Sequence, residues 1–324
     1  MTIAQRTGAH TGRRDIAQRT ANIEDVPCNL CGSRNARVLY HSTLGSGLLR
    51  PEPSHFRCTT STYGVHPTIV RCQNCGLVYA NPRLEAHTVE QNYSTVDDPL
   101  YIEEREGRVL TFRRNLLPLE KLIKTPKPWR LLDVGCHIGV MLEIAQERGW
   151  DAAGVEPSTW AATRARERGL NVINATLANA HLAPNSFDAV TIWDVIEHLT
   201  NPASDLRQVY RVLKPGGVVG IHTIDIDSLL SRVMGHRWPW LMEMHLYYFS
   251  PRTLGRMLSD IGFKVEQVIY QGRYLRLQYL VTRIAPYSPT LSRAMNFAIE
   301  RLHLGATAVP INFGDLFTIF ARKI

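Results

Sequence analysis

The fold is encoded most clearly in one stretch of the sequence, Trp129-Arg-Leu-Leu-Asp-Val-Gly-Cys-His-Ile-Gly139. It begins with a short apolar run of the kind that forms a buried parallel strand. The run leads into a turn between Gly135 and Gly139, where the backbone passes close to a ligand. A helical pattern then continues up to Gly149. The stretch therefore predicts a strand, a ligand-binding turn and a helix in succession.

The alternation of strand and helix continues along the chain. Ala152-Ala-Gly-Val155 is a second apolar run that ends in Glu156, a helix follows from Ser158 to Arg168, and Phe187–Trp193 is another strand before Asp194. Such alternation predicts an α/β fold with a doubly wound parallel sheet, which binds ligands at the carboxyl ends of its strands. A carboxylate at that edge, such as Glu156, can accept hydrogen bonds from both ribose hydroxyls. An adenosine-bearing cofactor fits this pattern, although dinucleotide-binding enzymes also use a glycine-rich turn.

Four of the six cysteines form two C-x-x-C pairs, Cys28 with Cys31 and Cys72 with Cys75, and a glycine follows each pair. Two such turns supply four thiolates for a closed tetrahedral Zn²⁺ site, which is typical of a structural role. The segment between the pairs predicts a hairpin with a loop from about Leu44 to Thr62. A redox pair or disulfides are the alternative. A zinc module of this kind either binds nucleic acid or supports a neighbouring domain.

Residues 129–270 carry four motifs in order, and together they resemble a class I S-adenosylmethionine-dependent methyltransferase. The four motifs are Leu132-Asp-Val-Gly-Cys-His-Ile-Gly139, Gly154-Val-Glu-Pro157, Phe187-Asp-Ala-Val-Thr-Ile-Trp-Asp-Val-Ile-Glu-His-Leu199 and Leu213-Lys-Pro-Gly-Gly217. The resemblance implies a Rossmann-like sheet and S-adenosylmethionine as cofactor. The four-cysteine module resembles that of a subgroup of bacterial small-molecule methyltransferases, some of which act on sugars.

The resemblance also implies which positions hold the cofactor. The end of the first strand and the glycine turn would hold the methionine part of the cofactor, and the acidic residue after the second strand would bind the ribose. The segment after the third strand would flank the adenine, and the aspartate after the fourth strand would line the site. In chain order these positions are Asp133, Gly135, Gly139, Glu156, Thr176, Leu177 and Asp194. His137 stands among them where the family usually has glycine. Its side chain either points into the site or turns outward on the loop.

Two histidines are candidates for the base that takes a proton from a hydroxyl acceptor, because imidazole titrates near neutral pH. His198 follows the fourth strand, and His245 lies in the aromatic segment Trp238–Phe249, which in the resembling family shapes the acceptor pocket. This segment predicts a lid with an apolar wall. The alternatives are that the histidines only brace loops, that the aromatic rings pack in the core, or that the segment rests on a lipid surface.

The domain organisation follows from these patterns. We expect a flexible basic leader over residues 1–22, a zinc-binding module over 23–85, a helical linker over 86–128 and the methyltransferase domain over 129–324. A helical insertion over about residues 271–315 either caps the active site or makes a dimer contact.

The C-terminal part of the chain predicts further elements. Residues from Ser250 to Gly262 are typical of a capped helix, and Phe263–Tyr270 alternates as a strand. A helix is predicted from Pro289 to His303. The resemblance implies that Phe317–Arg322 is the final strand, pairing antiparallel at the sheet edge.

Composition and charge limit the cellular context. Of 324 residues, 44% are hydrophobic and 20% are charged, as in globular proteins, and no apolar run is long enough to cross a bilayer. No signal peptide is evident, which predicts a cytoplasmic protein. The net charge of +8 is concentrated in the two ends of the chain. These ends either contact phosphate groups or form ordinary solvated surface.

Taken together, the sequence predicts a methyltransferase that O-methylates a hydroxyl of a sugar or natural-product small molecule. An RNA methyltransferase, methylation of a lipid-linked acceptor and a non-enzymatic scaffold are the alternatives. Nucleic acid is disfavoured because the knuckles carry Asn, Leu and Gln, and their nearby basic residues are only Arg34, Arg37 and Arg71. A homodimer is left open.

Overall fold

The structure is a computed structural model that describes residues 23–44, 53–285 and 287–324. The expected leader over residues 1–22, and part of the loop expected between Leu44 and Thr62, lie outside these residues. The strands are β1 Ile23–Glu24, β2 Ala36–Tyr40, β3 Ile69–Cys72, β4 Val78–Ala80, β5 Arg83–Leu84, β6 Trp129–Val134, β7 Trp150–Val155, β8 Asn171–Ile173, β9 Phe187–Trp193, β10 Leu213–Ile224, β11 Tyr247–Tyr248, β12 Phe263–Tyr270, β13 Arg273–Arg276, β14 Ala308–Ile311 and β15 Leu316–Lys323. The α-helices are α1 Ala86–Thr95, α2 Pro99–Glu103, α3 Arg105–Leu122, α4 Val140–Glu147, α5 Thr159–Glu167, α6 Pro202–Val212, α7 Leu229–Met234, α8 Pro251–Ile261, α9 Leu277–Ile284 and α10 Pro289–Arg301.

The main sheet contains, within the described residues, seven strands in the order β12-β15-β10-β9-β6-β7-β8. The strands from β10 to β8 run parallel, with helices between them along the chain. Successive residues of β6 reach opposite faces, since Leu131 and Leu132 pack in two different apolar clusters. A parallel sheet covered on both faces is the doubly wound α/β fold that the sequence predicts. This expectation is confirmed.

The position of the last strand corrects one expectation. β15 pairs antiparallel as expected, but it lies between β10 and β12 and not at the sheet edge. Its residues are almost all buried, so it needs a neighbour on each side, whereas β12 is largely exposed and forms the edge. The exposure of each strand decides whether β12 or β15 forms the edge of the sheet, and the sequence shows that exposure only indirectly.

A second sheet joins the cysteine module to the core. Among the described residues it has four strands in the order β11-β4-β3-β2. β2 and β3 form the expected antiparallel pair. The fourth strand, β11, comes from the segment that the sequence predicts to be a lid, and Tyr247 pairs with Tyr79 of β4. The segment around His245 is therefore held by the sheet that carries the cysteines.

No helix in the described part of the chain combines the length and the hydropathy that crossing a bilayer requires.

Gly154 of β7 offers a test of how tightly the core packs behind the turn after β6. A Cβ atom there would lie 2.4 Å from Cys136 Sγ and 2.9 Å from Leu142 Cδ1. We expect Gly154→Ala to lower the free energy of unfolding by about 1–3 kcal/mol through overpacking, measured by chemical denaturation. The control is Gly255→Ala in α8, where the nearest atoms would be 3.8 Å away and helix propensity should stabilise by up to about 1 kcal/mol. Equal effects of the two substitutions would contradict this packing.

Candidate active site

A cavity of about 530 Å³ lies at the carboxyl ends of β6, β9 and β10. Its wall combines the turn after β6, the loop that follows β9, the segment before β11, and residues from the cysteine module and from the insertion. Of the residues that the sequence assigns to a site, the cavity brings together Asp133, Gly135, His137, Asp194, His198 and His245. Gly139, Glu156, Thr176 and Leu177 lie outside its wall. Leu177 packs in the apolar core, and the Thr176 carbonyl accepts a hydrogen bond from Asn179.

The turn after β6 requires glycine at both of its ends. Gly135 and Gly139 have φ angles of +70° and +82°, a region that side chains disfavour. A Cβ atom on Gly135 would lie 2.6 Å from Val195 Cγ2, and one on Gly139 would lie 2.2 Å from Leu170 Cδ1. The turn is therefore packed closely between the chain that follows β9 and the chain that follows α5.

The carboxylate of Glu156 fixes this turn by hydrogen bonding to its backbone. Its Oε2 accepts a hydrogen bond from the backbone N–H of His137 at 2.8 Å, and its Oε1 accepts one from Ser158 at 2.8 Å. Burial raises the pKa of Glu156 to about 7, although both hydrogen bonds oppose that shift. Each oxygen keeps a second lone pair, so the carboxylate can still accept a ribose hydroxyl.

His137 points into the cavity, which is one of the two orientations that the sequence leaves open. It is a buried residue in the cavity wall, its φ angle is +49°, and its ring stacks on Tyr101 with 3.6 Å between centroids. Its Nδ1 is buried without a hydrogen-bond partner among the described residues. Burial and the nearby Arg108 hold the pKa of His137 well below its usual range, so the imidazole is neutral.

Two aspartates end neighbouring strands. Asp133 Oδ1 accepts a hydrogen bond from the Thr191 hydroxyl at 2.7 Å, and burial raises its pKa to about 7 despite that bond. Asp194 contacts His222 Nδ1 at 2.6 Å and accepts from Arg273 Nη2 at 2.7 Å. Burial would raise the pKa of Asp194, but these two partners keep it below its usual range. Asp194 is therefore ionised near pH 7, whereas the carboxyl group of Asp133 is only about half ionised at that pH.

His198 and His245 lie together, with 4.8 Å between their ring centroids. His198 Nδ1 is 3.0 Å from the Met244 carbonyl, and His245 Nδ1 is 2.7 Å from the Trp240 carbonyl. A carbonyl only accepts hydrogen bonds, so each Nδ1 carries the proton and each Nε2 keeps a lone pair. The side chain of Glu197 completes the group: one potential ligand atom from each of the three residues lies within 4.8 Å of the others.

Burial shifts the pKa values of Glu197, His198 and His245 away from their usual ranges. It lowers the pKa of His198 to about 4 and holds that of His245 well below its usual range. Burial, together with the charge of Asp194, raises the pKa of Glu197 to about 8. Near pH 7 both imidazoles are therefore neutral, and Glu197 tends to keep its proton.

The aromatic segment Trp238–Phe249 forms a buried wall. Trp238, Tyr247 and Tyr248 are at most 1% exposed, so these rings do not form an exposed lipid-facing surface. The indole N–H groups of Trp238 and Trp240 both donate to Asp315 Oδ2, at 3.1 Å and 2.8 Å. The segment forms part of the cavity wall, and it is held in place by the insertion and by β4.

The four predicted zinc ligands converge at the other end of the second sheet. Cys28 Sγ and Cys75 Sγ are 3.4 Å apart, Cys31 Sγ and Cys72 Sγ are 3.6 Å apart, and all four atoms lie within 4.8 Å of one another. These separations exceed an S–S bond of about 2.05 Å. They fit four thiolates around one Zn²⁺, whose Zn–S distances are about 2.3 Å.

Comparison with known proteins agrees with this geometry. A family described as a methyltransferase domain matches residues 101–268, about half of the chain. The chain belongs to this methyltransferase family.

Relatives of this methyltransferase domain have been named in several bacteria. A ubiquinone biosynthesis O-methyltransferase of Pseudomonas paraeruginosa (strain DSM 24068 / PA7) is 30% identical over 153 residues, covering 43% of this chain and 66% of that protein. The protein of the same name from Aeromonas salmonicida (strain A449) is also 30% identical over 153 residues, covering 43% and 64%. The chain thus spans slightly less than two thirds of either relative. A crystal structure of a SAM-dependent methyltransferase from Archaeoglobus fulgidus is 24% identical with a TM-score of 0.46, covering 70% of this chain and 100% of that one.

Sequence reasoning missed several residues of the methyltransferase site. His222 and Arg273 hold Asp194, and Tyr101 covers His137. His222 did carry a signal, because a polar residue inside the otherwise apolar run of β10 needs a buried partner. Tyr101 and Arg273 lie in the linker and the insertion, where the motifs of the family give no guidance.

The raised pKa of Asp133 predicts a pH-dependent stability of the methyltransferase domain. The folded pKa of about 7 exceeds the unfolded value of about 3.9, so stability is lost as the pH rises from about 4 to about 7. Asp133→Asn keeps an acceptor for Thr191 but cannot ionise. We expect its stability relative to the unsubstituted protein to be about 1–3 kcal/mol more favourable at pH 8 than at pH 5. Denaturation without cofactor at both pH values measures this, and a pH-independent difference would refute it.

Proposed function

We propose that this protein transfers a methyl group from S-adenosylmethionine to a hydroxyl of a small molecule. Membership of the methyltransferase family supports the cofactor and the reaction class. The names of the two curated relatives support an oxygen acceptor. The cofactor supplies an electrophilic methyl group on its sulfonium, and the residues of this chain supply placement and proton removal.

The observation that carries the proposal is the histidine pair in the same cavity as the glycine turn. His198 and His245 both keep a free Nε2 lone pair, and both are neutral near pH 7. A neutral imidazole can accept the proton that the acceptor hydroxyl loses as its oxygen forms the new bond to carbon. We assign this role to His245, with His198 as the neighbour that positions it.

The cofactor would be held by the residues around the turn. Gly135 and Gly139 permit the left-handed backbone of the turn, and Glu156, which follows β7, can accept from the ribose hydroxyls. Thr176 and Leu177 would flank the adenine. Asp133 and Asp194 would lie near the sulfonium side of the cavity.

For the acceptor we propose a sugar or a related natural-product intermediate. The cavity wall combines aromatic residues, such as Trp240 and Tyr63, with the polar residues Glu197, Asp194 and Arg273. Ligand pockets generally combine aromatic and apolar walls with a few polar groups that fix the ligand's orientation, and a ring with several hydroxyls can use both.

We also propose that the four cysteines hold a structural Zn²⁺. The ion would fix β3 and β4 and, through the pairing of β4 with β11, the segment that contains His245. The module would thus support the acceptor wall, and it needs no nucleic acid to have a role.

The proposed base can be tested by replacing His245. A screen with labelled S-adenosylmethionine and a panel of sugars and phenols identifies an acceptor. We then expect His245→Ala to lower kcat by about 10²–10⁴-fold, the usual contribution of a general base, with the Kd of S-adenosylhomocysteine changed less than about twofold.

The control is His236→Ala, an exposed residue outside the cavity wall, which should leave both quantities unchanged. An equal loss of kcat and cofactor affinity in His245→Ala, or no loss at all, would remove this residue from the role of base.

The proposed zinc site can be tested by elemental analysis. We expect about one Zn²⁺ per chain, and Cys72→Ser should lose the ion and lower the thermal unfolding midpoint, because metal binding contributes to folding. Cys58→Ser is the matched control, since Cys58 lies in the cavity wall and outside the four-cysteine cluster. Zinc content that is unchanged by Cys72→Ser would contradict the assignment.

A further inference from the structure

The insertion places a carboxyl group in the cavity wall. Asp315, which directly precedes β15, is only 3% exposed and lines the cavity. Its Oδ2 accepts hydrogen bonds from the indole N–H groups of Trp238 and Trp240, at 3.1 Å and 2.8 Å. Its Oδ1 has no hydrogen-bond partner among the described residues and is not enclosed by protein. Because Asp315 belongs to the cavity wall, this free oxygen opens into the cavity.

The free oxygen of Asp315 needs a hydrogen-bond donor. Asp194, another carboxylate of the wall, is paired with Arg273 at 2.7 Å. Asp315 forms no ion pair with any residue that the structure describes. A buried carboxylate oxygen without a donor is unfavourable, so a site of this kind takes its donor from water or from a ligand. The two indole groups hold the carboxylate in one orientation, which lowers the cost of binding such a ligand.

Asp315 and the proposed base border the same part of the cavity. Trp240, which donates to Asp315, also contacts His245: the Trp240 carbonyl is 2.7 Å from His245 Nδ1, and the centroids of the two rings are 6.4 Å apart. All three residues line the cavity. A ligand of one ring that places a hydroxyl at His245 can therefore reach Asp315 with a neighbouring group.

The surroundings of Asp315 favour a neutral donor over a cation. The guanidinium carbon of Arg273 lies 5.1 Å from the centroid of the Trp240 ring, so a positive charge is already present on this side of the cavity. It would repel an ammonium group of a ligand. A hydroxyl group donates a hydrogen bond without adding charge, and the free oxygen has lone pairs for it.

We propose that Asp315 binds a second hydroxyl of the acceptor, next to the hydroxyl that is methylated. The protein thus selects acceptors with neighbouring hydroxyls over acceptors with a single one. The inference rests on the proposed function, which supplies the hydroxyl that reacts at His245. Asp315 orients the acceptor and takes no part in the proton transfer.

The test compares ligands that differ by one hydroxyl: catechol with phenol, and glucose with 2-deoxyglucose. We expect the unsubstituted protein, saturated with S-adenosylhomocysteine, to bind the first member of at least one pair about 10- to 100-fold more tightly in calorimetry, the range of one charge-assisted hydrogen bond. In Asp315→Asn the amide oxygen can still accept from both indoles, but the amide N–H₂ group then faces the cavity. This variant should lose the preference, with the Kd of S-adenosylhomocysteine changed less than about twofold.

The control is Asp260→Asn, an exposed residue of α8 outside the cavity wall, which should leave every affinity unchanged. Equal weakening of both members of a pair in Asp315→Asn, or an unchanged preference, would overturn the assignment. So would an unsubstituted protein that binds S-adenosylhomocysteine but distinguishes neither pair.

Two further outcomes are separated from these. If the unsubstituted protein does not bind S-adenosylhomocysteine, the proposed function itself fails. If Asp315→Asn does not fold, Trp240→Phe decides. It removes one of the two N–H groups that orient the carboxylate, so the preference for the ligand with the additional hydroxyl should fall while S-adenosylhomocysteine still binds. An unchanged preference in Trp240→Phe would then overturn the role of Asp315.

Discussion

The site depends on the two hydrogen bonds that Glu156 accepts from the backbone of His137 and Ser158. One bond fixes the turn after β6, and the other fixes the start of α5. A single carboxylate at the end of β7 therefore connects the turn after β6 to α5, the helix between β7 and β8. Burial raises the pKa of Glu156 to about 7, because it disfavours the negative charge that makes the carboxylate a good hydrogen-bond acceptor. A ribose that donated to the same oxygens would favour the ionised form and thereby stabilise the turn. In the proposed function, cofactor binding and the shape of the turn would therefore be linked through this residue.

The second organising feature is the pairing of β4 with β11. A cysteine module with little core of its own gains a strand from the segment that ends at Phe249, and the segment gains a fixed position. The chain from Trp238 is held at its other end by Asp315, which accepts from two indole groups. His245 therefore lies on a wall supported from two sides. A general base must be held within a fraction of an ångström of its working position, and this arrangement would give the proposed base that rigidity.

The sequence was informative where local chemistry decides the structure. The bounds of β6, β9 and β12 follow from their apolar runs, and Ser250 caps α8 through a reciprocal pair of hydrogen bonds with Thr253. It was less informative where partners lie far apart in the chain. Which strand covers β15, and which segment completes the sheet of β4, depend on pairings that periodicity does not specify. The sequence also could not choose between the two orientations of the His137 side chain, because the choice depends on Tyr101, a residue outside the motifs.

The distribution of charge in the cavity explains why neutral groups surround the proposed reaction. Burial raises the pKa of Glu197 and lowers that of His198. Near pH 7 a protonated carboxyl group therefore lies beside two imidazoles with free lone pairs. Methyl transfer from a sulfonium to a hydroxyl removes the positive charge from sulfur and releases a proton. A cationic histidine would repel the sulfonium and could not accept that proton, whereas a neutral imidazole meets both conditions. In the proposed reaction Asp194 would supply a negative charge that favours the sulfonium, since its pairing with His222 and Arg273 keeps it ionised in a buried position. The same burial that makes each histidine a weaker base in isolation therefore keeps the pair in the protonation state that the reaction needs.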